Sequence, residues 1–137
     1  MSHQYTIATR GVVLSTGRTP NPTALAWADG TVLAVGDDAA VLALSRGDST
    51  FVDLAGRAVS AGTDPDTAVD RLRGAVASGA AGTAADDLPR LEPGSPADLL
   101  IWSSDPRRLE PADAASLTVV GVVRGGRLSW SQSGTRT

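Results

Sequence analysis

The chain has 137 residues, and a length of that order suits one domain that buries roughly two-thirds of its unfolded surface. It has no cysteine, which excludes disulfides and thiolate metal sites; its net charge is −3 with every cation an arginine, which offers no broad basic surface for nucleic acid. No apolar run approaches the about 18 residues of a membrane span, and no basic start leads into a long apolar core, so a cytoplasmic protein without a signal peptide is expected.

Residues 1–4 read as a disordered start. Tyr5–Ser15 is rich in β-branched residues and reads as a strand, with Gly11 as a bulge or a close backbone approach. Thr16–Thr23, with Gly17, Pro20, Asn21 and Pro22, is a loop. Ala24–Ala28 and Thr31–Val35 are short apolar strands joined by Asp29-Gly30. That dipeptide favours a type I′ hairpin turn, because both central positions need φ > 0. Asp37 or Asp38 then caps a short helix holding Val41, Leu42 and Leu44, with Gly47 beyond its end as a C-cap glycine. Thr50–Leu54 and Arg57–Ser60 are strands separated by an Ala55-Gly56 turn.

The composition changes at Ala61. Asp64 is placed to cap a helix, Pro65 suits its first position, and Asp66 suits its dipole. Val69, Leu72 and Val76 follow at helical spacing, and the helix ends near Ser78-Gly79. Ala80–Arg90 is small and polar, with room for one loose helical turn. Then comes Leu91–Trp102, LEPGSPADLLIW. Pro93-Gly94 fits the centre of a type II turn. Leu99–Trp102 is apolar without alternation, as in a strand covered on both faces. A loop over Ser103–Ala112 and a short helix over Ala112–Ser116 lead to a closing hairpin, Leu117–Arg124 and Arg127–Trp130, around Gly125-Gly126. Residues after Ser131 read as a frayed tail.

The fold class expected from these elements is mainly β. The N- and C-terminal segments form a sandwich or pseudobarrel, with one main helix between them and one or two short helices. One domain over 1–137 divides into an N-terminal half (1–60), a helix and loop (61–90), a C-terminal half (91–130) and a tail (131–137). Alanine and valine dominate an apolar fraction of 42%. Trp27, Trp102 and Trp130 are therefore expected to fill the core.

In this order the motifs resemble the metal-dependent amidohydrolase superfamily, in the flavour of amidohydrolase family 3. ALAWADGTVLAVGDDAAVLAL is similar to that family's hairpin and short helix, and TFVDLAGRAVSAG to its next strand pair. LEPGSPADLLIW resembles its glycine turn and Ala-Asp-Leu strand, and LTVVGVVRGGRLSW its final hairpin. The segment Thr67–Ala81 looks like the last barrel helix returning to the sandwich. The resemblance implies a composite β-sandwich built from both chain ends, into which relatives insert a catalytic TIM-type barrel. Here the departure is large. Ser60-Ala61-Gly62 stands where relatives have Pro-Gly and a His-x-His pair, and no histidine follows. A barrel takes roughly 200 residues or more, and the residues between the two halves cannot hold one.

Candidate chemistry is correspondingly thin. His3 is the sole histidine and suits a solvated tail. Gly62-Thr63-Asp64 resembles the end of the family's last barrel strand, which makes Asp64 a possible relic metal ligand; the competing role is the helix cap. Asp86-Asp87, Asp105, Glu110 and Asp113 show no spacing that pairs them for acid–base work. Ser103-Ser104-Asp105 has no histidine base. Gly125-Gly126 suits a hairpin turn rather than a phosphate cradle. Arg107-Arg108 suits a solvated loop or an acidic partner. No catalytic residue, metal site or cofactor is assigned, and the binding residues are open.

The expectation is therefore a non-catalytic binding or interaction module descended from an amidohydrolase that lost its barrel. The alternatives are an accessory subunit of a split amidohydrolase with its barrel on another chain, and a truncated relic without selected activity. A sandwich flank without its barrel must be covered, which predicts a homodimer or a protein partner on the former barrel-facing surface, with no nucleic acid and no membrane. The helix Thr67–Ala77 is the element expected to find a new apolar surface.

Overall fold

The computed structural model describes residues 5–14, 22–45 and 49–130. His3, Gly47, most of the 16–23 loop and the tail after Trp130 lie outside the described residues. The fold is mainly β, with two sheets facing each other. The first has four strands in the order β4-β3-β1-β5: β1 is Thr6–Thr9, β3 is Ala24–Ala28, β4 is Thr31–Gly36 and β5 is Thr50–Asp53. The second has five in the order β2-β6-β7-β8-β9: β2 is Val12–Val13, β6 is Ala58–Ala61, β7 is Leu99–Trp102, β8 is Val119–Arg124 and β9 is Arg127–Trp130.

Both expected hairpins form through local turn chemistry. Asp29 and Gly30 take φ of 55° and 77°, and Gly125 and Gly126 take 57° and 85°, as a type I′ turn requires. Ala55 and Gly56 are left-handed too, at 51° and 84°.

The expected single strand over Tyr5–Ser15 is corrected. It is two strands in different sheets, β1 and β2, separated by a corner at Arg10-Gly11, where Arg10 has φ of 63°. The later segment makes the same change of sheet between β5 and β6. The two run in parallel, β1 beside β5 and β2 beside β6. At the shared corner Leu54 N–H donates to Thr9 O, Gly56 N–H to Arg10 O, and Val12 N–H to Arg57 O. Strands that bend from one sheet to the other are how sandwich corners are made. Gly11 is thus a close approach: a Cβ there would lie 2.8 Å from Arg57 O.

The halves of the chain join in the second sheet. β6, the last strand of the N-terminal half, pairs antiparallel with β7, the first of the C-terminal half. β7 is the central strand of that sheet and is buried along its whole length. Leu99 and Ile101 face the interior with Val59 and Val123, against Leu25, Trp27 and Val52 from the first sheet. Leu100 and Trp102 face outward, where a helical layer covers them.

That layer comes from the middle of the chain. α2 (Pro65–Ala77) and α3 (Ala81–Asp86) place Leu72, Val76, Ala81 and Ala85 on Trp102, Leu100 and Leu14. Asp64, Pro65 and Asp66 occupy their expected positions at the start of α2. Gly79, at φ of 80°, ends it, with Ala80 N–H reaching back to Ala75 O at 2.7 Å. The loose turn foreseen after it is a full helix, α3. The loop over Ser103–Ala112 holds a 3₁₀ turn at Pro106–Arg108, and a second at Pro111–Ser116 replaces the expected short helix. On the opposite side α1 (Asp38–Leu42), capped by Asp37, seats Val41 on Ile7, Ala24 and Ala26.

Trp27 and Trp102 are core residues as expected, but Trp130 is not. It is 44% exposed on edge strand β9, its ring lying over the bare backbone of Gly121 and 6.0 Å from the Arg57 guanidinium. An edge strand has no further neighbour to bury its ring.

Candidate functional site

The stretch Leu91–Asp98 is a joint between turns. Ser95 N–H closes the Pro93-Gly94 turn onto Glu92 O at 3.0 Å. Val32 N–H donates to Ser95 O and Ala97 N–H to Gly30 O, tying it to the first hairpin. Asp98 Oδ1 accepts from Gly125 N–H at 2.9 Å, tying it to the last. Trp27 Nε1–H completes the junction by donating to Gly126 O at 2.9 Å. Three turns from both ends of the chain are thereby fixed to one another, and Gly125-Gly126 is occupied in this way as a hairpin turn.

A surface cleft lies on the outer side of the second sheet. It has a volume of about 560 Å³, between α2 and β8. One stripe of α2 forms a wall, with Asp66, Val69, Asp70 and Arg73; Thr118, Val119 and Val122 form the floor. Helical spacing puts these α2 residues on one side. Arg73 Nε–H donates to Leu117 O at 2.8 Å, which holds the helix alongside β8. At the other end Arg124 approaches Thr63 O at 3.4 Å. Past the floor the sheet continues as a shelf formed by Val122, Arg124, Arg127 and Ser129. Asp66, Asp70, Arg124 and Arg127 are all exposed.

Among the described residues no group of three or more His, Asp and Glu side chains is placed to hold a metal ion. Asp64 is exposed and caps α2: Oδ1 accepts from Thr67 N–H at 3.2 Å and Oδ2 from the Thr67 hydroxyl at 2.7 Å. The hydroxyl bond, followed by the backbone bond, holds its carboxyl below the usual value of 3.8. A lowered folded-state pKa stabilises above the unfolded value and loses that contribution as pH falls through the lowered midpoint. Wild type is therefore expected to exceed Asp64→Ala in stability well above pH 3.8, with the gap closing on acidification. Paired thermal melts across that range check this.

Of the other singled-out residues, Asp86 is the last of α3 and lies close enough to Arg107 to act on it together with Asp105. Asp87 is the C-cap of α3, Glu110 precedes the second 3₁₀ turn and Asp113 lies within it. Ser103 Oγ accepts from Thr118 N–H at 3.1 Å, bridging β7 to the start of β8. Asp105 is buried, being 5% exposed. It caps Pro106–Arg108 by accepting from Arg107 N–H at 3.0 Å, and takes the Arg107 guanidinium on both oxygens. The pairing raises the Arg107 pKa and gives Arg107 a partner within its own chain. Arg107 and Arg108 are both exposed, as expected of a loop pair, with Arg107 held by Asp105 of its own chain. Asp105→Asn keeps the shape and removes the charge. We expect it to cost about 1–3 kcal/mol in denaturant unfolding, as for a buried charge-assisted hydrogen bond.

Asp70, Arg73, Arg124 and Arg127 belong to no catalytic or metal-binding motif in the sequence. Register was the available signal: Arg124 and Arg127 flank a two-residue turn and so must lie opposite each other. Asp66 and Asp70 are four apart on a helix and so share a face.

No family model and no curated protein matches the sequence. Among solved structures, an uncharacterized metal-dependent hydrolase from Pyrococcus furiosus is similar with a TM-score of 0.36 and 17% identity. The likeness covers 52% of this chain and 16% of that one. No helix of the described residues is long and apolar enough to cross a membrane.

Proposed function

We propose that the chain is a non-catalytic interaction module that works through self-association, built on an amidohydrolase-type composite sandwich. The observation that carries this reading is the β6–β7 pair. It closes the sandwich directly between the N- and C-terminal halves. The segment between those strands, 62–98, holds only α2, α3 and turns. In the resembled family the metal-binding side chains stand on a barrel inserted at that place. Here the insertion is a helical layer packed on its own sheet, with Leu72 and Val76 buried against Trp102. The junction of turns at Asp98, Gly30 and Gly126 supports the same reading, because it gives the sandwich closure of its own.

The test is metal content and hydrolysis together. Protein purified without chelators and then exposed to zinc is expected to hold no stoichiometric metal after desalting. It is also expected to leave amide and N-acyl amino acid substrates intact. One tightly held zinc per chain with substrate turnover overturns the proposal.

A further inference from the structure

We infer that the α2–β8–β9 face is the self-association surface, and that its occupant is the same face of a second copy related by a two-fold axis. This rests on the proposed reading of the chain as a self-associating module.

Two local features are each unfavourable alone. Asp66 and Asp70 lie four residues apart on α2, an arrangement in which like charges repel. Arg124 and Arg127 are directly opposite across the β8–β9 hairpin, where like charges are again destabilising. Among the described residues no ion pair joins any of these four side chains to a partner. The acidic pair stands on one wall of the cleft and the basic pair on the shelf at its other side.

A two-fold interface uses one patch twice, so the patch must be complementary to itself. This one is, in charge and in shape. A helix stands about 10 Å proud of the sheet it covers. α2 is such a ridge, and the outer side of β9, with Arg127 and Ser129 exposed, is a step with no helix on it among the described residues. Turned about a two-fold axis in the plane of the face, each ridge drops onto the other's shelf. Asp66 and Asp70 of one copy then meet Arg124 and Arg127 of the other, twice. The half-buried Val69, Val119 and Val122 supply the apolar strip between the charged walls. Each like-charge pair thereby gains counter-charges from the second copy, added for Arg124 to the attraction it already exerts on Asp64 of its own chain.

Sedimentation velocity at tens of micromolar tests this with charge-exchanged variants. The wild type is expected to be a dimer. Arg124→Asp/Arg127→Asp sets acid against acid, and Asp66→Arg/Asp70→Arg sets cation against cation. Each variant alone is expected to weaken dimerisation by about tenfold or more, as like charges brought together do. Mixed in equal amounts, the two are expected to regain the dimer, since both contacts are again of opposite sign. Recovery requires both variants to be folded, so it also controls for misfolding. A wild-type dimer that persists in both variants overturns the surface and leaves self-association standing. So does a mixture in which both variants are folded by circular dichroism and no dimer returns. A monomeric wild type overturns self-association and the surface with it.

Discussion

Trp102→Ala is expected to lower unfolding stability by about 3–5 kcal/mol, the range for removing a buried aromatic side chain. Trp102 is fully buried on the central strand of the second sheet. Its ring is the place where Leu72, Val76 and the alanines of α3 meet the sheet, so the cavity left behind is bounded by three elements that cannot collapse together. The indole also has a specific partner. Nε1–H donates to Ser60 Oγ at 2.9 Å, and Ser60 is 1% exposed. Ser60→Ala is expected to cost about 1–3 kcal/mol, because a buried N–H loses its acceptor. Trp102→Phe with Ser60→Ala removes both polar partners. The pair is expected to cost less than the sum of the two single changes, and a double-mutant cycle from chemical denaturation measures the difference.

Gly11→Ala is expected to destabilise by about 1–3 kcal/mol, at the upper end of that range for overpacking. The new Cβ would lie 2.7 Å from Leu54 Cβ and 2.8 Å from the carbonyl oxygen of Arg57. Neither neighbour can yield. Leu54 is buried and Arg57 O already accepts from Val12 N–H, so the corner shared by both sheet-changing segments must open. Gly74→Ala is the contrast. It lies inside α2 and a Cβ there would meet nothing within 4 Å. It is expected to stabilise by about 0.5–1 kcal/mol, the usual helix preference for alanine over glycine. Thermal melts of the two variants should therefore move in opposite directions.

These two residues also show what could be read from the chain. The hairpins, the start of α2 and the buried strand Leu99–Trp102 were legible because their signals are local: a glycine at φ > 0, a proline at the first helical position, an apolar run. Gly11 was legible only as a choice between bulge and close approach. Its neighbours, Leu54 and Arg57, are more than forty residues away, and no local pattern carries the change of sheet. Trp130 was assigned to the core because it sits on a strand; its exposure depends on β9 being an edge, which is a property of the whole sheet. α3 was understated because Ala81–Asp86 has little amphipathic pattern, and it is burial of Ala81 and Ala85 against neighbours that holds it. The charged face was hidden for the same reason. Each like-charge pair is visible in its own element, but their position across one cleft follows from Arg73 fixing α2 beside β8.

The two-part, mainly β arrangement follows from strand signals at both ends of the chain, and the geometry adds what lies between them. α2 and α3 cover the β6–β7 side of the second sheet, with Val122 half-buried at their margin and Arg124, Arg127 and Ser129 exposed beyond it. The main helix packs its apolar side on its own sheet, with one stripe of α2 facing the cleft.

Native mass spectrometry of the zinc-exposed protein reads assembly and metal in one spectrum. A dimer of two chains with no bound metal is the predicted species. A monomer carrying one zinc contradicts the account on both counts.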